Sequence, residues 1–256
     1  MASQSQTQVI ATTTIPIVTF DEIDSTNAEA RRRAEAGEAG PLWITALRQN
    51  AGRGRRGRSW DTGQGNLAAT LLTTTDLPPA EAAQISFVAA LAVADLARSY
   101  VPADIVGLKW PNDLLVAGRK ASGILVESGR RPDGRLWLAT GIGVNLAHAP
   151  EGTERPATSL ALNGASPPPT PRQALERLSE AFAGWIGAWE ARGFSAIAEA
   201  WTVRALGLGG PCVARLGAET VEGVAEGLDV DGALRLRLAD GAIRRITAGD
   251  VFFEGA

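Results

Sequence analysis

The sequence has little of the chemistry that disulfides, structural zinc and membranes require. Its 256 residues include one cysteine, Cys212, and one histidine, His148, and the net charge is −3. A single thiol cannot build a disulfide framework, and with one imidazole it cannot complete a structural zinc site. The first sixteen residues lack the basic start and apolar core of a signal peptide, and we identify no stretch that approaches a membrane span. We therefore expect a cytoplasmic protein.

Against this acidic background one short stretch, GRGRRGRSW at residues 52–60, is strongly basic. Three glycines alternate with Arg53, Arg55, Arg56 and Arg58. Like charges repel and glycine loses much entropy on ordering, so the segment is not explained by its own stability. Glycines let backbone amides approach an anion, and arginines grip phosphate or carboxylate in two places. We expect an anionic ligand to complete this loop; a solvated basic turn or a nucleic-acid patch is the alternative.

The order of predicted elements indicates an α+β protein. The basic stretch joins two segments rich in β-branched and apolar residues, 41–50 and 65–75, so it is predicted to be a loop between strands. Apolar residues at helical spacing predict a buried helix over 79–99. Four short apolar segments separated by turn residues then predict an antiparallel meander over 105–146.

The C-terminal part is divided by proline and glycine. SPPPTP at 166–171 precedes a long helix with one apolar side, which predicts core packing, and a further helix is predicted over 194–206. Beyond it, short strands alternate with Asp-Gly turns, the pattern of a small β-barrel of about 45 residues. The predicted organisation is therefore a flexible segment 1–18, a main domain 19–208 and a small barrel domain 209–256.

KWPNDLL, at residues 109–115, places three polar side chains at one corner of the predicted sheet. Proline after Trp110 ends the strand, and the turn directs Lys109, Asn112 and Asp113 toward the same edge. A common hairpin turn is the alternative for this motif.

Two further stretches place small residues where a ligand would press against a strand. RKASGILVE puts Lys120 at the start of a strand, with Gly123 allowing close approach on the same sheet. GIGVN, at residues 141–145, repeats glycine within a strand and ends in Asn145. Each stretch alone is a weak indication, so their order along the chain matters more.

These motifs together resemble the catalytic domain of the biotin protein ligases, the biotin–[biotin carboxyl carrier] ligases. The resemblance rests on DSTN, Q-x-AGRGRRGR-x-W, KWPNDLL, RK-x-SGILVE and GIGVN in this order, from about Phe20 to Asn145. The closing GLDVDGALRLRLADGAIRRITAGDV resembles that family's C-terminal SH3-like barrel. The implied fold is α+β, with a mixed or antiparallel sheet of the class II synthetase-like biotin/lipoate ligase type in the main domain.

The resemblance implies a two-step reaction. Biotin and MgATP form biotinoyl-5'-AMP and pyrophosphate, and a lysine of a biotin carboxyl carrier domain then takes the biotin as an amide. Biotin is thus the implied substrate, and ATP and Mg²⁺ are the implied cofactors, with the metal ligands left open. A homodimer is also left open, and neither nucleic acid nor a membrane is expected as a partner.

The resemblance also assigns roles at the reaction centre. Arg53 and Arg55 contact biotin or the adenylate, and Arg55 contains this intermediate. Lys120 reaches the carboxylate oxygen during attack, and Lys109 holds the ATP phosphates. No histidine lies within these motifs, so Asp113 is our own candidate to help deprotonate or position the acceptor lysine, or to serve the metal. The implied catalytic residues are Lys120, Arg55, Lys109 and Asp113.

Biotin needs hydrogen-bonding groups at its ureido end and apolar walls elsewhere. Ser25, Thr26, Asn27 and Gln49 match the family's positions beside that end, although a helix cap or a surface strand residue is the alternative for them. The resemblance places Asn112 and Asn145 on the nucleotide or metal. The implied ligand-binding residues are Ser25, Thr26, Asn27, Gln49, Gly52, Arg53, Gly54, Arg55, Trp60, Asn112, Lys120, Gly123 and Asn145.

The chain departs from the family pattern in three places. About twenty residues precede the motifs, too few for a DNA-binding winged helix, so no repressor activity is expected. The ending GDVFFEGA lacks an arginine often found there, so the tail is not expected to contact the nucleotide. SPPPTP lies near the expected position of the loop that covers adenosine.

Two other functions compete with biotin ligation. Lipoate ligases share the fold and the acyl-adenylate chemistry, but GRGRRGR-x-W favours biotin. A nucleic-acid-binding module would use the arginine loop without consuming ATP, and the acidic net charge argues against it.

Overall fold

The computed structural model describes residues 15–153, 155–217 and 219–253. Within these ranges the chain forms two β-sheets and five α-helices. Residues 1–14 of the predicted flexible segment 1–18 lie outside the described residues. Its last two residues are not loose, because Ile17 and Val18 open strand β1 and pair with Trp43 and Ile44.

The first sheet is mixed, as the resemblance implied. Its order is β1-β2-β3-β7-β6-β5-β4, in which only β1 and β2 run parallel. The meander predicted over 105–146 is confirmed as the antiparallel strands β4 to β7. The strand bounds are β1 Ile17–Ile23, β2 Leu42–Gln49, β3 Leu67–Thr75, β4 Val106–Lys109, β5 Asp113–Val116, β6 Arg119–Arg130 and β7 Leu136–Val144.

The helices pack on this sheet and carry much of its core. The helix predicted over 79–99 is broken after Ala82 into a single turn and a longer buried helix, and the helix predicted over 194–206 ends earlier, at Thr202. Thr170 starts the long helix with a capping box shared with Gln173. The helix bounds are α1 Thr26–Glu35, α2 Pro79–Ala82, α3 Ile85–Arg98, α4 Pro171–Arg192 and α5 Phe194–Thr202.

The stretch Pro79–Arg98 is long and apolar enough to cross a membrane by length and composition alone. This corrects the expectation that no stretch approaches a membrane span. In the fold, 72% of its most apolar window is buried, with Val88, Leu91 and Leu96 in the main core. Its composition therefore matches that of a core helix.

The second sheet is antiparallel and begins at Pro211, close to the boundary predicted at 209. Its order, β11-β10-β9-β8-β12, is consistent with the SH3-like domain that the resemblance implied. The sequence did not indicate the last strand, which pairs with β8. The bounds are β8 Pro211–Arg215, β9 Thr220–Leu228, β10 Leu234–Arg237, β11 Ile243–Ile246 and β12 Asp250–Phe253.

The two sheets meet at strand β4 and the KWPNDLL turn. The linker before the second sheet runs beside β4, where Leu108 donates its N–H to Arg204 and accepts one from Leu206. Nε1 of Trp110 donates to the carbonyl of Gly232 at 3.1 Å. These contacts bring the second sheet, and with it β12, against the edge where the polar motif residues lie.

Candidate active site

A cavity of about 480 Å³ opens where the arginine loop, the ends of β5, β6 and β7, and strand β12 meet. This volume suits one small organic ligand. Every predicted ligand-binding residue except Gly52 lines it, and Asp113 lines it as well. Among the predicted catalytic residues, Lys109 does not. The sequence motifs, separated by up to 120 residues from Ser25 to Asn145, therefore converge on one site.

One end of the cavity is built from fixed amide and hydroxyl groups. Oε1 of Gln49 accepts the backbone N–H of Thr26 at 2.8 Å, and Nε2 of Gln49 donates to Oγ1 of Thr62 at 3.0 Å. Ser25 occupies the N-cap position of α1, but its side chain makes no capping bond. The Ser25 side chain therefore does not cap the helix. The Gln49 side chain instead accepts a free backbone N–H at the helix N-terminus.

Asn27 is held at the same end by hydrogen bonds to two strands, β3 and β6, and a third strand leaves space for it. Its Nδ2 donates to Oε2 of Glu127 at 2.7 Å, and its Oδ1 accepts from Oγ1 of Thr70 at 2.7 Å. A Cβ at Gly141 would overlap Oδ1 of Asn27, so this glycine of β7 provides the space for the amide. The orientation of the Asn27 amide is consequently fixed before any ligand arrives.

Trp60 covers the glycines of the cavity floor. A Cβ at Gly143 would overlap the indole, and one at Gly123 would lie 3.2 Å from Cζ3 of Trp60. The sequence interpretation assigned this space to a ligand; in the structure Trp60 takes part of it, and both glycines still line the cavity. Gly52 also serves Trp60, because Trp60 N–H donates to the Gly52 carbonyl at 2.9 Å and closes the base of the loop. Gly52 is thus part of the loop neck and does not line the cavity.

Arg55 crosses from the loop to the KWPNDLL turn and to the second sheet. Its Nη1 donates to Oδ1 of Asn112 at 3.0 Å, and its Nη2 donates to the carbonyl of Gly249 at 3.2 Å. Burial lowers the pKa of the Arg55 guanidinium, and the charges of Asp250 and Asp113 raise it in part. Since arginine keeps its proton in proteins, the group remains a cation at the cavity wall.

Asp250 of β12 ties down the outer part of the loop. Its Oδ2 accepts from Nη1 of Arg56 at 3.1 Å and from Nη2 of Arg58 at 2.7 Å. Burial raises the pKa of this carboxyl, but the hydrogen bonds and charges of the two arginines outweigh it and hold the pKa below its usual range. The sequence indicated only that the tail would not contact the nucleotide, so its contact with the arginine loop is a finding of the structure.

Lys120 and Asp113 form an ion pair on the cavity wall. Nζ of Lys120 lies 2.6 Å from Oδ1 of Asp113 and 5.8 Å from the centre of the Trp60 ring. The backbone of Lys120 pairs with the segment after β7: its N–H donates to Pro156, and Thr158 donates to its carbonyl. This pairing fixes the position of the lysine relative to the next segment of the wall.

That segment, described at residues 150–153 and 155–157, was not predicted from the sequence. It contributes Pro150, Glu151, Gly152, Thr153, Arg155 and Ala157 to the lining, whereas SPPPTP at 166–171, where the covering loop was expected, contributes none. The sequence of residues 150–157 has no regular spacing of apolar residues and so predicts no element. Their place in the cavity wall follows only from the pairing of this segment with Lys120 of β6.

Lys109 lies behind the wall. Its side chain is buried, its Nζ donates to the carbonyl of Val251 at 2.6 Å, and the rings of Phe252 and Phe253 lie within 6.0 Å. Burial, assisted by the charge of Arg155, lowers the pKa of Lys109 to about 8, while Asp113 opposes this shift. The predicted direct grip of Lys109 on the ATP phosphates does not fit this placement, because the ammonium supports β12.

The two predicted asparagines are partly committed to backbone partners. Nδ2 of Asn112 donates to Ile124 at 2.6 Å, and Nδ2 of Asn145 donates to Thr158 at 3.0 Å. Oδ1 of Asn145 is buried and has no hydrogen-bond partner among the described residues. A buried acceptor without a partner is costly, so this oxygen is suited to a ligand or a hydrated cation in the cavity.

The oxygen atoms that line the cavity decide whether it could hold Mg²⁺. Within the described ranges, no three His, Cys, Asp or Glu side chains form a metal-binding group. Mg²⁺ in nucleotide sites keeps several waters and uses one or two carboxylates together with substrate phosphates. Asp113 and the amide oxygen of Asn145 fit that pattern, and they would hold an ion that arrives with the phosphates.

The fold and the site together indicate the class of protein to which this chain belongs. The two-sheet α+β fold forms a cavity with fixed amides at one end and cations from separate segments around the rest, which suits a ligand carrying both polar rings and negative charge. The family model described as "Biotin/lipoate A/B protein ligase family" matches residues 19–145, and the "Biotin protein ligase C terminal domain" matches residues 207–254. The chain therefore belongs to the biotin protein ligases of the biotin/lipoate A/B protein ligase family.

Individual relatives agree with this assignment. The chain is 44% identical over 244 residues to a biotin–[acetyl-CoA-carboxylase] ligase of Paracoccus denitrificans, covering 91% of this chain and 98% of the relative. The biotin protein ligase of Aquifex aeolicus, solved with biotin and ATP, is similar with a TM-score of 0.78 and 26% identity, covering 93% and 99%. That of Leishmania major, solved with biotinyl-5-AMP, has a TM-score of 0.65 and 27% identity, covering 91% and 99%.

Proposed function

We propose that this protein activates biotin with ATP as biotinoyl-5'-AMP and transfers it to a lysine of a biotin carboxyl carrier domain. One observation carries the proposal: the fixed amides near α1 and the cations Arg53, Arg55 and Lys120 line the same cavity. The relatives support the choice of ligands, because they are named as biotin ligases or were solved with biotin and ATP. We place the reaction in the cytoplasm, where a single buried thiol stays reduced.

The first step must join two anions, the biotin carboxylate and the α-phosphate of ATP. At an effective dielectric constant near 20, a unit charge pair about 4 Å apart is worth about 4 kcal/mol, so each placed cation offsets a large part of this repulsion. Lys120 is held on the wall by Asp113, and Arg55 is held by Asn112 and Gly249. These cations are in place before the reactants meet and require little reorganisation.

The amide end suits the ureido group of biotin, which both donates and accepts hydrogen bonds. The Asn27 amide and the Gln49 amide each have fixed partners, so their orientation discriminates between donor and acceptor positions on a ligand. Ser25 lines the same end with a side chain that is not used for capping. Trp60 and the strand floor supply the apolar wall for the rest of the molecule.

Mg²⁺ would supply charge neutralisation and orientation of the phosphates when bound. The oxygens of Asp113 and Asn145 are the groups of this chain that would hold it. Because Lys120 lies 2.6 Å from Asp113, we assign Asp113 to positioning Lys120 and the metal rather than to accepting a proton from the acceptor lysine. That lysine must still reach the acyl carbon in its neutral form.

Pyrophosphate release tests the proposed function and separates it from lipoate ligation. The protein is incubated with MgATP and one acid at a time: biotin, lipoate or octanoate. We expect release that depends on biotin, with kcat/KM at least 100-fold lower for the other two acids, since neither carries a ureido group to bond with the polar groups at the amide end of the cavity. Release with lipoate and none with biotin would assign the protein to the other activity of its family.

A further inference from the structure

Arg155 is a cation of the cavity wall that belongs to none of the sequence motifs. It lines the cavity, its side chain is 24% exposed, and it lies on the segment that pairs with Lys120. We propose that Arg155 binds the triphosphate of ATP and stabilises the pyrophosphate that leaves when biotin is activated. This inference rests on the proposed function and assigns one further catalytic residue to it.

The position of Arg155 is fixed from two sides. Its guanidinium carbon lies 4.3 Å from the centre of the Phe252 ring, and its Nη2 donates to the carbonyl of Val251 at 3.0 Å. Its Nη1 lies 3.8 Å from Oδ2 of Asp113, the carboxylate that also binds Lys120. A guanidinium has five N–H groups, so donors remain for a ligand after these contacts. The stack and the hydrogen bond hold the planar group in one orientation before ATP binds.

The local charge balance selects the ligand. Lys109, Lys120 and Arg155 surround the single carboxylate of Asp113, and the charges of the other three all act on Lys109. Lys109 does not line the cavity, so Lys120 and Arg155 are the cations that face the ligand here, and Asp113 can balance only one of them. The biotin carboxylate brings one negative charge, whereas the triphosphate of ATP brings several. With Lys120 serving the biotin carboxylate, Arg155 is the cation of this wall left for the polyphosphate.

The reaction explains why the leaving group needs this charge. A carboxylate oxygen of biotin forms a new bond to the α-phosphorus, while the bond from that phosphorus to the bridging oxygen of the β-phosphate breaks. The bridging oxygen leaves with the electron pair on pyrophosphate, and no proton is required. Lys120 and the loop arginines serve the joining oxygens, and Arg155 offsets the charge that accumulates on the departing group.

A purely structural role for Arg155 makes a different prediction. In that case the guanidinium would only anchor its own segment to β12 through the Phe252 ring and the Val251 carbonyl, and its loss would lower both half-reactions alike. Arg215 provides the matched control, because its guanidinium carbon also lies 4.3 Å from the Phe252 ring but the residue does not line the cavity. R155A and R215A therefore each remove one stack on this ring, and only R155A removes a cation from the cavity.

The experiment measures both half-reactions with all 256 residues present. The first readout is pyrophosphate release with varied MgATP at saturating biotin, and the second is transfer from preformed biotinoyl-AMP to a carrier domain. For R155A we expect kcat/KM for ATP to fall by about 100-fold while transfer stays within threefold of the parent. R155K should fall by about 10-fold, because a lysine keeps the charge but not the planar stack. R215A should stay within threefold in both assays.

Three results would overturn the assignment. They are R155A equal to the parent, R155A and R215A reduced alike, or R155A reduced equally in both half-reactions. Thermal unfolding checks that the variants are folded, and if R155A is not, R155K decides by the same split between the two readouts. A parent that releases no pyrophosphate with biotin contradicts the proposed function itself, whereas an active parent with an unaffected R155A contradicts only the role of Arg155.

Discussion

Nζ of Lys120 lies 2.6 Å from Oδ1 of Asp113 on the wall of the cavity. The aspartate side chain is 9% exposed and the lysine side chain 29%, so the buried carboxylate anchors an ammonium that still faces the ligand space. The pair joins the start of β6 to the KWPNDLL turn across the sheet. Asp113 thus holds the Lys120 ammonium in position, and this position does not depend on a bound ligand.

The contact between Asp250 and the loop predicts that the second sheet controls retention of the intermediate. In D250N the partner charge of Arg56 and Arg58 is lost, so the loop should open more often and biotinoyl-AMP should dissociate about 10-fold faster. A chase experiment with labelled adenylate measures this rate. D231N is the control, because Asp231 also binds an arginine of the second sheet, Arg245, but lies outside the cavity. Equal rates in D250N and the parent would show that the loop closes without β12.

Arg55 and its neighbour Arg56 should differ in their effect on containment. Arg55→Gly removes the bonds to Asn112 and Gly249, so activation should stay measurable while adenylate escapes and biotinylates added bystander proteins. R56G removes one exposed partner of Asp250 at a residue whose φ of 57° suits glycine, so leakage should be small.

The bystander must be supplied in this assay. Lys109 and Lys120 are the only lysines in the sequence, and Lys109 is buried, so the ligase itself offers few acceptors. Mass spectrometry of an added lysine-rich protein therefore reports the escaped adenylate. Retention by R55G equal to that of the parent would contradict the containment role.

The glycine floor under Trp60 predicts the effect of one methyl group. G143A places a Cβ against the indole, which must then move, so we expect KM for biotin to rise at least 10-fold with little loss of the fold elsewhere. Calorimetric titration with biotin checks the affinity directly. G184A is the control in helix α4, where a Cβ meets nothing within 4 Å, and it should raise the free energy of unfolding by up to about 1 kcal/mol. Unchanged biotin affinity in G143A would show that the Trp60 position is not used in binding.

The buried Lys109 predicts a pH dependence of stability. Its pKa is about 8 in the fold against an ordinary value of 10.5, so below pH 8 both folded and unfolded chains are charged there. Between pH 8 and 10.5 the unfolded chain binds more protons at this site, so its contribution to stability rises with pH, by about 3 kcal/mol in total.

The pKa shift of Lys109 is tested by comparing the free energies of unfolding of the parent and two variants in denaturant across this pH range. The parent should gain about 3 kcal/mol relative to K109M and K109R between pH 8 and 10.5, because methionine does not titrate and arginine stays charged. A constant difference over the range would mean that Lys109 is not desolvated in the fold.

The sequence predicted those parts of the site that consist of contiguous motifs. The arginine loop, the KWPNDLL turn and the glycine-containing strands were each recognisable, because turn chemistry and strand composition are local properties. Their convergence followed from the order of the motifs and the resemblance they carry.

The parts that were missed depend on contacts between distant segments. Asp250 meets Arg58 across 192 residues, and nothing in the tail GDVFF indicates such a partner. Arg155 becomes a wall residue only because the chain returns to pair with Lys120. Lys109 was placed on the correct edge, but its depth depends on the second sheet packing over it, which residue spacing cannot reveal.

The most direct measurement of the central claim is the intact mass of a carrier domain after incubation with this protein, biotin and MgATP. The account predicts one added biotin that requires all three components, and a rate at least 100-fold lower with K120M, which removes a cation from the cavity. R119A, which changes the exposed neighbour, should keep the parent's rate. A carrier that gains no mass, or a K120M variant as fast as the parent, would contradict the claim that the gathered cations join biotin to ATP.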